Sequence, residues 1–167
     1  MMGRWATALC DARVELSRKI TTVRMRRGDE GSRLFLVATR EAACSCGQLK
    51  LIAEGEPVRV SVCHCLACQR RTGSAFGFQA RFPRDRIDII GSSDQYTRIS
   101  DDGHPRTFSF CPECGATVYY MLASAPELVA VPAGAFADPS FPSPSFSVWE
   151  SRKHVWVTIR PDVERHP

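Results

Sequence analysis

From Ala43 onward, apolar residues recur at every second position in short runs, and glycine, proline, aspartate and serine separate the runs. That period of two is the mark of half-buried β-strands. Val58, Val60 and Val62 fall on one face of such a run and Arg59 and Ser61 on the other. The pattern predicts strands over Gln48–Ala53, Val58–Cys63, Phe76–Phe82, Ile87–Ile90 and Tyr96–Ser100. Further strands are expected over Arg106–Phe110, Thr117–Met121, Leu128–Val131 and Val155–Ile159. Only Cys65–Thr72 reads as helical, a short turn that Gly73 would close in a left-handed C-terminal cap. Pro132–Pro144 carries too many prolines to pair centrally in a sheet and reads as a connection. The expected fold is mainly β, built from small antiparallel sheets with one short helical turn.

Residues 1–40 differ from this body. They hold nine Lys/Arg against four Asp/Glu, whereas residues 41–167 hold thirteen against fourteen. The net charge of +4 therefore lies in the leading segment, and the body has no general attraction for nucleic acid. Residues 1–40 read as a poorly ordered basic extension, with a short helix over Ala12–Ile20 and a strand over Leu34–Ala38. Residues 41–167 read as one domain. The apolar run Trp5–Cys10 is short and cut by Asp11, unlike a secretory signal. No run approaches the roughly 20 apolar residues of a membrane span. A reducing, cytoplasmic setting is expected.

That setting matters because the chain has eight cysteines, seven of them in three tight clusters. These are Cys44-x-Cys46, Cys63-His64-Cys65-x-x-Cys68 and Cys111-Pro-x-Cys114-Gly115. Spacings this short let neighbouring sulfurs point at one ion, and they suit a metal better than disulfides joining distant segments. Zinc is the expected metal. Seven sulfurs divide into four plus three. A closed four-sulfur site is structural, and a three-ligand site with a free position is the usual form of one that does chemistry. Three thiolates on a divalent ion leave it at −1, a poor activator of water. Such an ion still binds a further thiol and holds it as thiolate at neutral pH. Thiol capture is the expected chemistry.

Cys63, Cys65 and Cys68 lie where a strand ends and the helical turn begins, a position that favours thiolates. His64, between ligands, is expected to turn away into a structural or supporting role. Arg70 and Arg71 follow closely and could pair with carboxylates of an anionic thiol; the alternative is a solvated helix end. Cys10 reads as a free thiol, and His104, His154 and His166 as surface or packing residues. Trp149 and Trp156 read as packing aromatics that could wall a thiol pocket, and Asp138 as part of the proline-rich connection, with a role near the site as the alternative.

Cys44-x-Cys46-Gly, Cys63-His-Cys-x-x-Cys-Gln-Arg-Arg-Thr-Gly-Ser-Ala-Phe76 and Phe110-Cys-Pro-Glu-Cys-Gly115 resemble the glutathione-dependent formaldehyde-activating enzyme family, which also includes centromere protein V. Gly134-Ala-Phe-Ala-Asp138 and Trp149-Glu-Ser-Arg-Lys-His154 extend the likeness through Trp156. The resemblance implies a zinc-stabilised β-tent fold with two zinc ions. One would be structural on Cys44, Cys46, Cys111 and Cys114, and one would lie at the active site on Cys63, Cys65 and Cys68. It also implies a carbon–sulfur lyase that interconverts glutathione and formaldehyde with S-(hydroxymethyl)glutathione. The implied partners are a small-molecule thiol and an aldehyde, or their adduct, with no membrane. The alternative is a non-catalytic zinc module that carries glutathione or binds a protein or nucleic acid.

Overall fold

The computed structural model describes the backbone of residues 23–27 and 34–167, and side chains from residue 38 onward. The expected helix at Ala12–Ile20 lies outside those residues. Two sheets form the body. In the four-stranded one, β1 (Val23–Arg27), β2 (Leu34–Ala43), β3 (Lys50–Glu54) and β6 (Ile87–Ile90) are neighbours in that order, all antiparallel. The strand expected at Leu34–Ala38 is present and continues to Ala43, across the boundary drawn at residue 40.

The eight-stranded sheet contains β4 (Arg59–Cys63), β5 (Gly77–Pro83), β7 (Asp94–Ile99), β8 (Pro105–Phe110), β9 (Thr117–Leu122) and β10 (Leu128–Pro132). It also holds two strands that the alternation pattern does not predict, β11 (Phe146–Val148) and β12 (Glu164–His166). Its order is β12-β11-β4-β5-β10-β9-β8-β7. β11 lies parallel to β4, with Val148 opposite Cys63, and the His64 N–H donates to the Val148 carbonyl at 3.0 Å. This pairing brings the chain after β11 alongside the middle cysteine cluster.

Each strand of the large sheet shows the two faces that its alternation dictates. One face packs on the four-stranded sheet. Val60, Ala80, Phe82, Val129 and Val131 meet Ala42, Leu49, Leu51 and Ala53 there, all buried. The proline-rich connection completes this core. Ala133–Phe136 forms a 3₁₀ turn, and Phe136 stacks on Phe141 at 4.7 Å. The opposite face carries Arg59, Ser61 and Cys63 on β4, opposed in register by Arg81, Gln79 and Gly77 on β5. It continues through Ala130, Tyr120 and Phe108 to Tyr96. This second face is the floor of the candidate site.

The helix α1 spans Leu66–Thr72, with Cys65 as its N-cap and Gly73 left-handed at φ 62°, its N–H on the Gln69 carbonyl. Among the described residues, no helix is long and apolar enough to cross a membrane.

The strand expected at Val155–Ile159 does not form. Its alternation is genuine, but strand propensity needs a neighbour to pair with, and β11 and β12 occupy that side of β4. The chain instead turns where the Val157 N–H meets the His154 carbonyl, leaving Val155 wholly exposed and Trp156 69% exposed.

Phe82 is fully buried between the two sheets and touches Phe136. Phe82→Ala should cost about 3–5 kcal/mol of unfolding free energy, whereas exposed Val58→Ala should change it by less than about 0.5 kcal/mol. Equilibrium urea unfolding of the two variants checks this contrast.

Candidate metal centre

The first cluster forms where two strand-to-strand turns meet. The turn between β2 and β3 carries Cys44 and Cys46, and the turn between β8 and β9 carries Cys111 and Cys114. Gly115, left-handed at φ 71°, lets the second turn close, with its N–H on the Cys111 carbonyl at 2.9 Å. The four sulfurs lie within 4.8 Å of one another. Cys44 to Cys46 measures 3.5 Å and Cys46 to Cys111 3.6 Å. Burial alone would raise the Cys44 pKa. The Leu49 N–H, donating to its sulfur at 3.2 Å, and the neighbouring thiols outweigh this and bring it to about 6. Cys46 accepts from the Gln48 backbone, yet the sulfurs of Cys44 and Cys111 push it up to about 12.

The second cluster joins a strand end to a helix start. Cys63 closes β4, Cys65 caps α1 and Cys68 lies in its first turn, with all three sulfurs again within 4.8 Å. Hydrogen bonds from Cys63 and Cys68 bring Cys65 down to about 2. Cys63 is raised because its partners retain the charge and burial adds to the effect. In both clusters, neighbouring thiols cannot all ionise unless a cation joins them. The chemistry of the donor sets fits zinc in each case. A tetrahedral ion with Zn–S bonds of about 2.3 Å separates its sulfurs by roughly 3.8 Å, close to the spacings in the first cluster.

The clusters differ in their surroundings. The second opens into a cavity of about 70 Å³, whose lining includes Gln79, Arg81, Arg98, Arg106, Tyr120 and Trp149. A site that engulfs a whole small ligand measures roughly 300–1,000 Å³. This cavity therefore has room for a thiol tip and a one-carbon partner, with any larger body left at its mouth. Trp149 adopts a left-handed backbone at φ 59°, uncommon for a bulky residue and a form of strain that gathers at functional sites. The Arg152 guanidinium lies 4.6 Å from its ring centre.

His64 turns away from the sulfurs into full burial. Its Nε2 lies 3.1 Å from the Ser147 hydroxyl and 3.9 Å from Glu150. Burial lowers its pKa, and the Glu150 charge opposes this. Arg70 is exposed, and neither it nor Arg71 lines this cavity. The Arg71 guanidinium lies over the rings of Phe108 and Tyr120, at 5.2 and 5.6 Å. Cys63 bonds to the Cys68 sulfur, yet Cys65 and burial raise the Cys68 pKa, and the Arg71 charge opposes that rise without reversing it. Asp138 lies away from the cavity, 3.7 Å from Arg40, and its carboxylate accepts from the Ser140 N–H. His154 is exposed and meets the Gln69 amide at 2.9 Å. Sequence reasoning missed Gln79, Arg81, Arg98 and Arg106, because only the strand order of the large sheet brings β5 and the β7–β8 hairpin to one cavity. Alternation signalled only part of this: Gln79 and Arg81 lie on the polar side of β5, whereas Arg98 and Arg106 share their faces with Tyr96 and Phe108.

Cys111→Ser should remove one equivalent of metal and lower stability by several kcal/mol, since a structural ion contributes directly to folding. Cys65→Ser should also remove one equivalent but leave the unfolding midpoint nearly unchanged. Elemental analysis with thermal unfolding distinguishes the two cases.

The model of the glutathione-dependent formaldehyde-activating enzyme family matches residues 39–152. Among solved structures, the chain is similar to a Rhodobacter sphaeroides protein at 19% identity, covering 57% of this chain and 85% of that one, with a TM-score of 0.44. No curated protein matches. The family match takes in both cysteine clusters, the helix between them and β11 with Trp149; the chain belongs to the glutathione-dependent formaldehyde-activating enzyme family.

Proposed function

We propose that this protein is a zinc-dependent carbon–sulfur lyase of the S-(hydroxymethyl)glutathione synthase type. One observation carries the reading. Cys63, Cys65 and Cys68 converge on a cavity, and no fourth ligating side chain joins them among the described residues. Cys44, Cys46, Cys111 and Cys114 would hold a second, structural zinc, giving two ions per chain. The seven clustered cysteines all stand as free thiols, which accords with a reducing, cytoplasmic setting.

A zinc ion bound by the three cysteines would supply a soft cation that takes a further sulfur and keeps it as thiolate. The chain's own residues do the rest. The cavity walls hold the thiol and restrict the space around it to a small aldehyde. The sulfur lone pair forms the C–S bond as the carbonyl π pair moves onto oxygen, which then takes a proton. The reverse step returns the proton and breaks the same bond. Tyr120 lines the cavity, and burial together with the Cys68 charge raises its pKa, so its hydroxyl stays protonated. It is suited to donate a hydrogen bond to that oxygen. Arg71 lies behind Cys68, over the rings of Phe108 and Tyr120, and Arg70 is exposed on α1 outside the cavity lining.

The addition also proceeds without a catalyst, so the decisive measurement is exchange at equilibrium. With carbon-13 formaldehyde and glutathione, the protein should accelerate interconversion with the adduct in magnetisation-transfer NMR. Cys65→Ser should return the rate to that of buffer. An unchanged rate with the metal-loaded protein would refute the lyase reading.

A further inference from the structure

Three arginines line the cavity beside the sulfurs, and only one of them is neutralised. Arg106 pairs with Asp102, itself on the lining, and the other lining acid, Asp101, pairs with Arg152. Arg81 makes no ion pair among the described residues, and its buried Nε has no hydrogen-bond partner. Across the strand pair it faces Arg59, whose Nε is likewise buried without a partner. Burial and the Arg81 charge disfavour the Arg59 cation, and Glu164 opposes them from the Arg59 side, so the floor is positive at Arg81. Arg98 on β7 donates only to the Ile99 carbonyl, at 3.1 Å. Arg81 and Arg98 thus meet no carboxylate among the described residues, since both acids on the lining are engaged.

We infer that Arg81 and Arg98 are specificity-determining residues that bind a carboxylate of the incoming thiol, so that the cavity selects carboxylate-bearing thiols over neutral ones of equal size. The inference rests on the thiol-capture reading above. It replaces Arg70 and Arg71 as the principal carboxylate partners, because neither of those lines the cavity. Guanidinium groups suit this role because they stay charged and present paired donors that match a carboxylate. Three thiolates and a divalent ion would sum to −1, a captured thiolate with one carboxylate would bring −2, and the two arginines would offset the charge that the ligand brings. A carboxylate a few bonds from the sulfur is then held where the cavity meets solvent, consistent with a chamber too small for the whole ligand.

The test uses the full chain loaded with cobalt in place of zinc and follows the cobalt–thiolate absorption on titration. The probes are glutathione, its diethyl ester and 2-mercaptoethanol. Wild-type protein should bind glutathione about tenfold or more tightly than the diester, as expected for a charged hydrogen bond, and the preference should shrink at high salt. Arg98→Gln and Arg81→Gln should each lower glutathione affinity about tenfold, leave diester affinity unchanged and retain the metal content. Arg98 lies on an edge strand, so its variant gives a clean reading even if Arg81→Gln folds poorly. Equal affinity for acid and ester in the wild type would overturn the inference while thiol capture stands, as would a parallel loss for both ligands in Arg98→Gln. Absence of response to every thiol would remove thiol capture itself, and this inference with it.

Discussion

Sulfur crowding is the constraint on which the rest of this structure depends. Four sulfurs in one cluster and three in the other are each held within 4.8 Å. Without a cation, each cluster can hold few negative charges. Cys44 and Cys65 move down while Cys46 and Cys63 move up, because the ionisation of one thiol suppresses that of its neighbours. A divalent ion lifts that restriction. In the first cluster it would also join Cys46 to Cys111, 65 residues away, and a flexible loop of that length costs roughly 4 kcal/mol to close. The cluster brings the turn of one sheet to the turn of the other, so an ion held there and the fold would stabilise each other.

The second cluster uses the same chemistry without the fastening. Its three sulfurs come from one short stretch at the junction of β4 and α1, so they hold no distant segments together. What they gain is a place over the polar face of the large sheet. That sheet is buried on one side by the four-stranded sheet and carries the cavity on the other. A period of two therefore separates stability from chemistry along a single strand. In β5, Ala80 and Phe82 build the core, while Gln79 and Arg81 face the sulfurs. A slip of register by one residue would exchange the two sets, so the packing that fixes register also aims the site.

Much of this was legible in the sequence, for a local reason. Cysteine spacing and strand alternation are properties of a few consecutive residues, and so are the caps at Gly73 and Gly115. The three cysteine groups and strands β3 to β10 could be read for that reason, whereas the joining of Cys44 and Cys46 with Cys111 and Cys114 came from the family resemblance. What escaped depended on long-range pairing. Phe146–Val148 is a three-residue strand with too little pattern to stand out, and it exists because β4 offers a free edge. Val155–Ile159 carried the better pattern and found no edge. The cavity arginines were invisible for the same reason. Arg59 and Ser61 read as the polar side of a strand, whereas Ser61 is buried on a face that continues across the sheet through Ala130 and Tyr120 to Phe108.

Local charge, rather than the sum, decides what this site attracts. Residues 41–167 are close to neutral, which argued against nucleic acid as a partner. Yet that near-neutral body places the unpaired guanidinium groups of Arg81 and Arg98 around one small opening and adds Arg71 behind Cys68. A broad positive surface would draw any polyanion. A few cations recessed in a narrow cavity favour a ligand thin enough to enter and negative where it meets them. Sulfur at the tip and carboxylate behind it meet both requirements, and the two features are recognised by different parts of the fold. On the proposed reading the cysteines at the end of β4 and the start of α1 would bind the tip, and β5 with the edge strand β7 would bind the charged group behind it. Trp149 forms part of the wall between them, in a backbone conformation that a bulky side chain seldom adopts. It is held there because β11 pairs with β4 one residue earlier. Strand pairing, strain and charge thus converge on one aperture, which makes selection at its mouth a property of the sheet as much as of the metal.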